Sequence, residues 1–258
     1  MNGLAPLLDL IWTEALIPVA IVFLRVGAAM AFLPALGETT VPVRVRLALS
    51  IALTLAVAPG VQPSLPVTGP TALLFRYLGT EIPAGLALGL SLRLFVLALQ
   101  MAGTMAAQST SLSQMFGGQG AEPMPAMSHL MVAAGLALAM IMGLPQRMVA
   151  MLIQSYDLWP AGSYPDVASL RDWGVAILAR SFALAFCLSA PFLIAGLLYN
   201  VALGILNRAM PQLMITMIGA PAMVLGAMIL MAVALPVGLG LWVRLLETAA
   251  ADPFGTLP

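Results

Sequence analysis

The sequence predicts an all-α integral membrane protein, and three observations carry that expectation. Hydrophobic residues make up 62% of the 258-residue chain and charged residues only 8%, against roughly 45–50% and about 25% in soluble domains. The apolar residues gather into about six long stretches, several at or beyond the roughly 18 residues expected of a membrane span. No water-facing core of a single chain this short encloses so much apolar surface.

The first stretch runs from Ala15 to Leu36. Asp9 and Glu14 precede it in place of a positive n-region, so it reads as a retained anchor and not a cleaved signal peptide. A second follows "VPVRVR" and covers Leu47 to Val61, after which "QPSLPVTGP" makes a stiff, uncharged turn. The third starts at Thr71, stays apolar to Met101 and continues in more polar form to Met115. It is too long for one straight span, which predicts a kink or a split. The fourth covers Met127 to Ser155, and "YDLWPAGSYPDVASLRD" after it has the aromatic, polar character of a membrane interface. The fifth extends from Trp173 to Leu206, "NRAMPQ" turns the chain, and the sixth covers Leu213 to Leu246. The remaining "ETAAADPFGTLP" reads as a frayed, solvated tail. Pro18, Pro34, Pro83, Pro145, Pro191, Pro221 and Pro236 interrupt these stretches. Each removes a backbone donor, so broken helices are expected.

Charge placement is the next constraint. Arg25, Arg76, Glu81, Arg93, Arg147 and Arg180 fall inside apolar stretches, five arginines against one carboxylate. Arg76 and Arg180 lie near segment ends, where a long side chain snorkels to the interface. Arg25, Arg93 and Arg147 sit deeper, each costing about 2.5–3.5 kcal/mol on insertion scales. Glu81 neutralises one of them at most; the expectation is that partner subunits or an aqueous pore satisfy the rest. The arginines at 44, 46 and 208 lie between stretches, and the acids dominate the opposite turns, which places both termini outside. Net charge is zero, so no basic patch points to nucleic acid. All ten basic residues are Arg, a bias that a GC-rich coding sequence explains.

Small residues mark surfaces for close helix contact. Gly85 and Gly89 form a GxxxG pair. Gly196, Asn200, Gly204 and Arg208 recur every four residues along one drifting helical ridge, which suits an interhelical contact. Chemistry is thin by comparison. His129 and Cys187 are each single, so there is no internal disulfide, no Ser/His/Asp or HExxH arrangement and no zinc ligand set. Cys187 reads as a small packed hydrophobe. The expectation is a protein that is not an enzyme and has no cofactor.

Three blocks together resemble the flagellar biosynthetic protein FliR family. "FLRVGAAMAFLPALGETTVPVRVRLALSIALTL", through Arg25, Pro34, Pro42 and Arg46, resembles its opening, and "TEIPAGLALGL", with Glu81, Gly85 and Gly89, its next block. "NRAMPQLMITMIGAP" resembles its Arg-x-x-Pro-Gln turn through Arg208, Pro211 and Gln212, followed by Gly219 and Pro221. Order, spacing and length agree along nearly the whole chain. One departure stands at "MGLPQRMVAM", where Leu144 and Pro145 replace a common Gly-His pair.

The resemblance implies a subunit of the type III export gate in the bacterial inner membrane at the flagellar basal body. Its implied partners are FliP-like and FliQ-like subunits, FlhB-like and FlhA-like components, membrane lipid and unfolded export substrates. It also implies a FliP-like part over residues 1–195, a FliQ-like helical hairpin over 196–246 and a flexible tail over 247–258.

On that reading "SQMFGGQGAEPMPAMSH" becomes a candidate pore plug. Met115 and Met124 are adaptable apolar fillers, Phe116 supplies bulk, and Gly117, Gly118 and Gly120 supply hinge freedom. The rival readings are a stand-alone secondary transporter or channel, with Arg25 or Arg93 binding an anion, a membrane scaffold, and the equivalent subunit of a virulence injectisome.

Overall fold

In the computed structural model, residues 16–38, 41–61, 70–111, 126–164, 166–210 and 215–253 are described. Among them there are helices and turns but no strand. Helix α1 spans Ile17–Met30, with Pro18 in its first turn, where the missing N–H has no intrahelical partner to lose. It stops well short of Leu36. Pro34 cannot continue the ladder and disfavours helical geometry at the residue before it. The chain turns instead through Ala35, at φ 63, and Gly37, whose N–H reaches Leu33 O at 2.7 Å. Helix α2, Val43–Val57, begins directly after the extended Pro42. "VPVRVR" therefore lies mostly within α2's first turn, and a 3-10 turn at Ala58–Gly60 closes the element.

Helix α3 is a single element of 42 residues, Pro70–Ser111, about 63 Å long at 1.5 Å per residue. The fourth apolar stretch is the one that breaks. Helices α4 (Ala126–Ile141) and α5 (Leu144–Leu158) meet at an angle of 73°. The bend has a local cause: Gly143 takes φ 85, a left-handed value open to glycine, and Pro145 occupies the first turn of α5. Helix α6 runs from Val167 to Ala209 and α7 from Ile215 to Ala251.

Two expectations are corrected here. Proline does not break most of these helices: Pro83, Pro191, Pro221 and Pro236 lie inside continuous helices. A proline removes one ladder bond, and in a packed membrane helix neighbouring groups re-satisfy what is freed. Of the kink or split expected in the third stretch, the split is absent, since Pro70–Ser111 is one helix. The tail is also ordered further than expected. α7 continues to Ala251 with Ala249 and Ala250 buried, and Trp173 Nε1 donates to Pro253 O at 2.6 Å.

Among the described residues four segments are long and apolar enough to cross a membrane: Val43–Gly60, Phe75–Ser109, Val167–Ala209 and Pro221–Ala251. The bent pair α4–α5 makes a fifth if it counts as one span. The six stretches read from sequence thus do not map onto six such spans, since α1 has only 14 residues.

Two compact units divide the chain. The first comprises residues 1–94, 140–177 and 246–258. Its buried core includes Val22, Val26, Leu33, Leu88, Leu92, Met148, Met151 and Leu152. The second comprises 95–139 and 178–245. There Trp242, fully buried, donates its indole N–H to Phe95 O at 2.8 Å, and Leu99, Ala102, Ala106, Leu184 and Ala185 are also buried. Cys187 is exposed on α6, contrary to the packed position expected, because its turn points Phe186 and Cys187 away from the buried Leu184 and Ala185.

Candidate functional site

The first unit is organised around one guanidinium. Arg25 of α1 is 1% exposed and Glu81 of α3 is 0% exposed, and they meet at 2.8 Å. All three nitrogens of Arg25 are used. Nε donates to Glu81 Oε2, one terminal nitrogen to Ser155 Oγ at 2.9 Å, and the other to Trp159 O at 2.8 Å. The guanidinium carbon also lies 3.7 Å from the centre of the Tyr156 ring, a cation–π stack.

The same carboxylate fixes a turn. Glu81 Oε1 accepts from Gly162 N at 3.0 Å and from Thr80 Oγ1 at 3.3 Å, while Arg76 Nε donates to Gly162 O at 2.7 Å. Charged groups from α1 and α3 therefore hold three backbone groups of the Trp159–Gly162 connection between α5 and α6. Gly162 has φ +75, and a Cβ there would lie 2.9 Å from the Tyr77 ring, so the turn seats flush on α3. The Tyr156 hydroxyl is buried without a hydrogen-bond partner.

Two more ion pairs in this unit take up the other deep arginines. Arg93 of α3 pairs with the Glu38 carboxylate, with the side chains 26% and 23% exposed. Arg46 donates to Glu38 O at 2.8 Å, tying the same turn to α2. Arg147 of α5 meets Glu247 of α7 at 3.1 Å.

These pairs correct the expectation that Arg93 and Arg147 need acids from outside the chain. That expectation counted only carboxylates within apolar stretches, whereas folding brings Glu38 from a turn and Glu247 from the supposed tail. Arg244 lies in the sixth stretch and belongs to the same tally. Ser155, Tyr156, Trp159 and Gly162 gave no sequence signal of their role, since each contributes a common polar or backbone group at long range. Between α5 and α6 a local signal was available in "DVAS". Asp166 Oδ2 accepts from Ser169 N at 2.9 Å and Ser169 Oγ at 2.8 Å. It caps α6 and starts it at Val167, ahead of the apolar run. These bonds, the backbone one first, hold the Asp166 carboxyl below its ordinary acid range.

Glycines set the close approaches. A Cβ on Gly85 would lie 2.1 Å from Arg25 O, and one on Gly89 2.4 Å from Ala29 O, so α1 lies directly on the GxxxG face of α3. In the second unit a Cβ on Gly103 would lie 2.4 Å from Ser128 Cα, and one on Gly196 2.8 Å from Ser109 O. The ridge that starts at Gly196 then leaves the unit's interior. Asn200 Nδ2 turns back to Gly196 O at 2.8 Å, nothing lies within 4 Å of a Cβ at Gly204, and Arg208 is exposed. Tyr199 donates to Gly219 O at 2.7 Å, pinning α6 to α7. Met115, Phe116, Gly117, Gly118, Gly120, Met124, Pro211 and Gln212 lie outside the described residues.

Among the described residues no three His, Cys, Asp or Glu side chains gather as a metal cluster. What the arrangement does is mechanical: it locks helices and a turn in an apolar medium, with no free deep guanidinium at Arg25, Arg93 or Arg147. Fold and site together define an all-α membrane protein braced by internal ion pairs. The chain matches the family described as bacterial export proteins, family 1, over residues 16–249. It is 32% identical to the flagellar biosynthetic protein FliR of Caulobacter vibrioides over 84% of this chain and 87% of that protein. It is 30% identical to the FliR of Escherichia coli over 83% and 82%, and 28% identical to that of Aquifex aeolicus over 86% and 87%. The chain belongs to this family of bacterial export proteins, with the flagellar FliR proteins among its relatives.

Proposed function

We propose that the chain is a structural subunit of the flagellar type III export gate, forming part of the channel wall for unfolded substrates. The observation that carries this reading is how the deep arginines are spent. A carrier for an anionic substrate needs an uncommitted positive group at membrane depth. Arg25 is committed to Glu81, Ser155 and Trp159, and Arg93 to Glu38. Such bracing suits a fixed wall better than a substrate site.

The outward faces of α6 and α7 support companions in the membrane. Leu197, Leu198, Ile205, Leu225, Met228 and Ile229 are all exposed there, and the open space at Gly204 and Gly226 leaves room for a helix backbone. FliP-like and FliQ-like chains are the partners proposed, with FlhB-like and FlhA-like components beyond them, in the bacterial inner membrane. The part from 196 to 246 is proposed as a FliQ-like hairpin. The segment with Met115, Phe116, Gly117, Gly118, Gly120 and Met124 is proposed as a deformable apolar plug of the idle channel, and Arg208, Pro211 and Gln212 as the turn at the hairpin's end.

Gentle detergent extraction followed by mass measurement of the intact assembly tests the subunit role. Co-purifying membrane subunits are expected, and substrate-dependent uptake by the purified chain in liposomes is not. Deleting Phe116 to Gly120 is expected to leave assembly intact and to make the membrane leak small ions. Unchanged conductance in an intact assembly removes the plug.

A further inference from the structure

An apolar groove of about 450 Å³ runs between α6 and α7 inside the second unit, walled by residues within 192–199 and 222–233. Phe192, Gly196, Met223 and Ala227 are buried along it. Gly226 opens its edge, with nothing within 4 Å of an added Cβ. The groove offers neither charge nor a free polar side chain. The hydroxyl of Tyr199, the polar group among the lining side chains, is spent on Gly219 O, and residues 181–207 and 209–243 carry no charged side chain. Such a wall is complementary to hydrocarbon and to no headgroup.

Its depth follows from the hairpin. Arg208 is exposed in the last turn of α6, and an exposed guanidinium holds that end at the membrane interface. At 1.5 Å per residue, 222–233 lie roughly 10–27 Å along α7 from its start at Ile215. That range falls inside a hydrocarbon core of about 30 Å, and the groove's length of about 17 Å is close to one leaflet's share. An apolar groove stays dry, so hydrocarbon or protein fills it.

Width decides between the two. Spread over about 17 Å, the volume gives a cross-section of roughly 27 Å². A helix with its side chains is about 10–12 Å across, or roughly 80–110 Å² in section. An extended methylene chain, with carbon contacts near 4 Å, is only about 4–5 Å across. A companion helix laid over Gly226 therefore roofs the groove without filling it.

We infer that this groove is a binding site for one acyl chain of a membrane phospholipid, held between α6 and α7 as a resident part of the fold.

Mass measurement of the intact assembly tests it, with companions bound, loosely held lipid washed away in detergent, and the retained lipid identified after dissociation. The wild type is expected to carry one phospholipid more than Gly226→Leu, whose new side chain enters the groove. Gly240→Leu is the control. It also meets open space but lies outside the groove, so it is expected to keep the lipid. A wild-type assembly with no retained phospholipid overturns the inference, and so does a Gly226→Leu assembly that keeps as many as the wild type. Equal loss from Gly240→Leu overturns it too, since the lipid then sits elsewhere. Where Gly226→Leu does not assemble, Ala195→Leu on the opposite wall is read in the same way.

Discussion

Arg25 and Glu81, 56 residues apart in the chain, form an ion pair that neither side chain exposes to solvent. Such a pair is costly to desolvate, and it persists here because each side-chain nitrogen of Arg25 and each carboxylate oxygen of Glu81 has a partner, with Ser155, the Trp159 carbonyl, the Gly162 N–H and Thr80 completing the set. Removing one partner leaves the other charged and buried, at a cost of about 3–5 kcal/mol. Arg25→Leu and Glu81→Leu are therefore each expected to lower the thermal midpoint of the purified chain sharply. The double variant still strips Gly162 and Trp159 of their partners, so it is expected to recover only part of the loss. A double-mutant cycle on thermal unfolding in detergent measures the coupling; independent, additive effects would mean the two groups do not act as a pair.

At the start of α6 the pH dependence has a definite sign. Ser169 bonds the ionised form of Asp166 and lowers its acid range in the folded chain. A carboxyl depressed by folding stabilises fully above its unfolded value, near 3.9. That contribution fades as pH falls from there through the lower folded value. Amide exchange in the first turn of α6 is expected to quicken across that acid window. In Asp166→Asn the cap keeps an acceptor but loses its titration, so the same window is expected to be flat.

The fold class was legible in the sequence because apolar runs beyond 18 residues have few other uses. Element ends were less legible. The residue that stops α1, Pro34, and the pair that bends the fourth stretch, Gly143 with Pro145, are visible as symbols, but so is Pro83, which interrupts nothing. Which proline breaks a helix depends on whether neighbours re-satisfy the freed carbonyl, a tertiary fact. The GxxxG pair at Gly85 and Gly89 was readable as a contact surface, though its partner, the backbone of α1 at Arg25 and Ala29, was not. Charge accounting failed for a related reason. Depth was assigned by sequence position, yet Glu38 from a turn and Glu247 from the last helix reach Arg93 and Arg147.

Arg147 and Glu247 make a contrasting pair. The arginine side chain is 42% exposed and the glutamate 23%, so water screens much of their attraction and the expected coupling is only about 0.2–1 kcal/mol. Arg147→Gln and Glu247→Gln are each expected to shift the thermal midpoint by far less than Arg25→Leu does. The charge-swapped double variant is expected to restore most of what either single reversal loses. A single neutral substitution as damaging as Arg25→Leu would mean that this pair is desolvated in the working assembly by another chain.

Two glycines separate contacts made within the chain from contacts made outside it. At Gly85 an alanine methyl lies 2.1 Å from Arg25 O. Backbone cannot rotate away as a side chain does, so α1 and α3 must part. Alanine is favoured over glycine in a helix by about 1 kcal/mol, but overpacking costs about 1–3 kcal/mol and disturbs the Arg25–Glu81 geometry next to it. Gly85→Ala is accordingly expected to destabilise the isolated chain. At Gly204 nothing lies within 4 Å of the added methyl, so only the helix preference remains and the isolated chain is expected to be unchanged or slightly stabilised. Comparing each variant's thermal midpoint alone with its yield of intact assembly separates the two. If Gly204→Ala leaves the midpoint unmoved and lowers assembly yield, a neighbouring helix lies against Gly204; if both are unchanged, that part of α6 faces lipid.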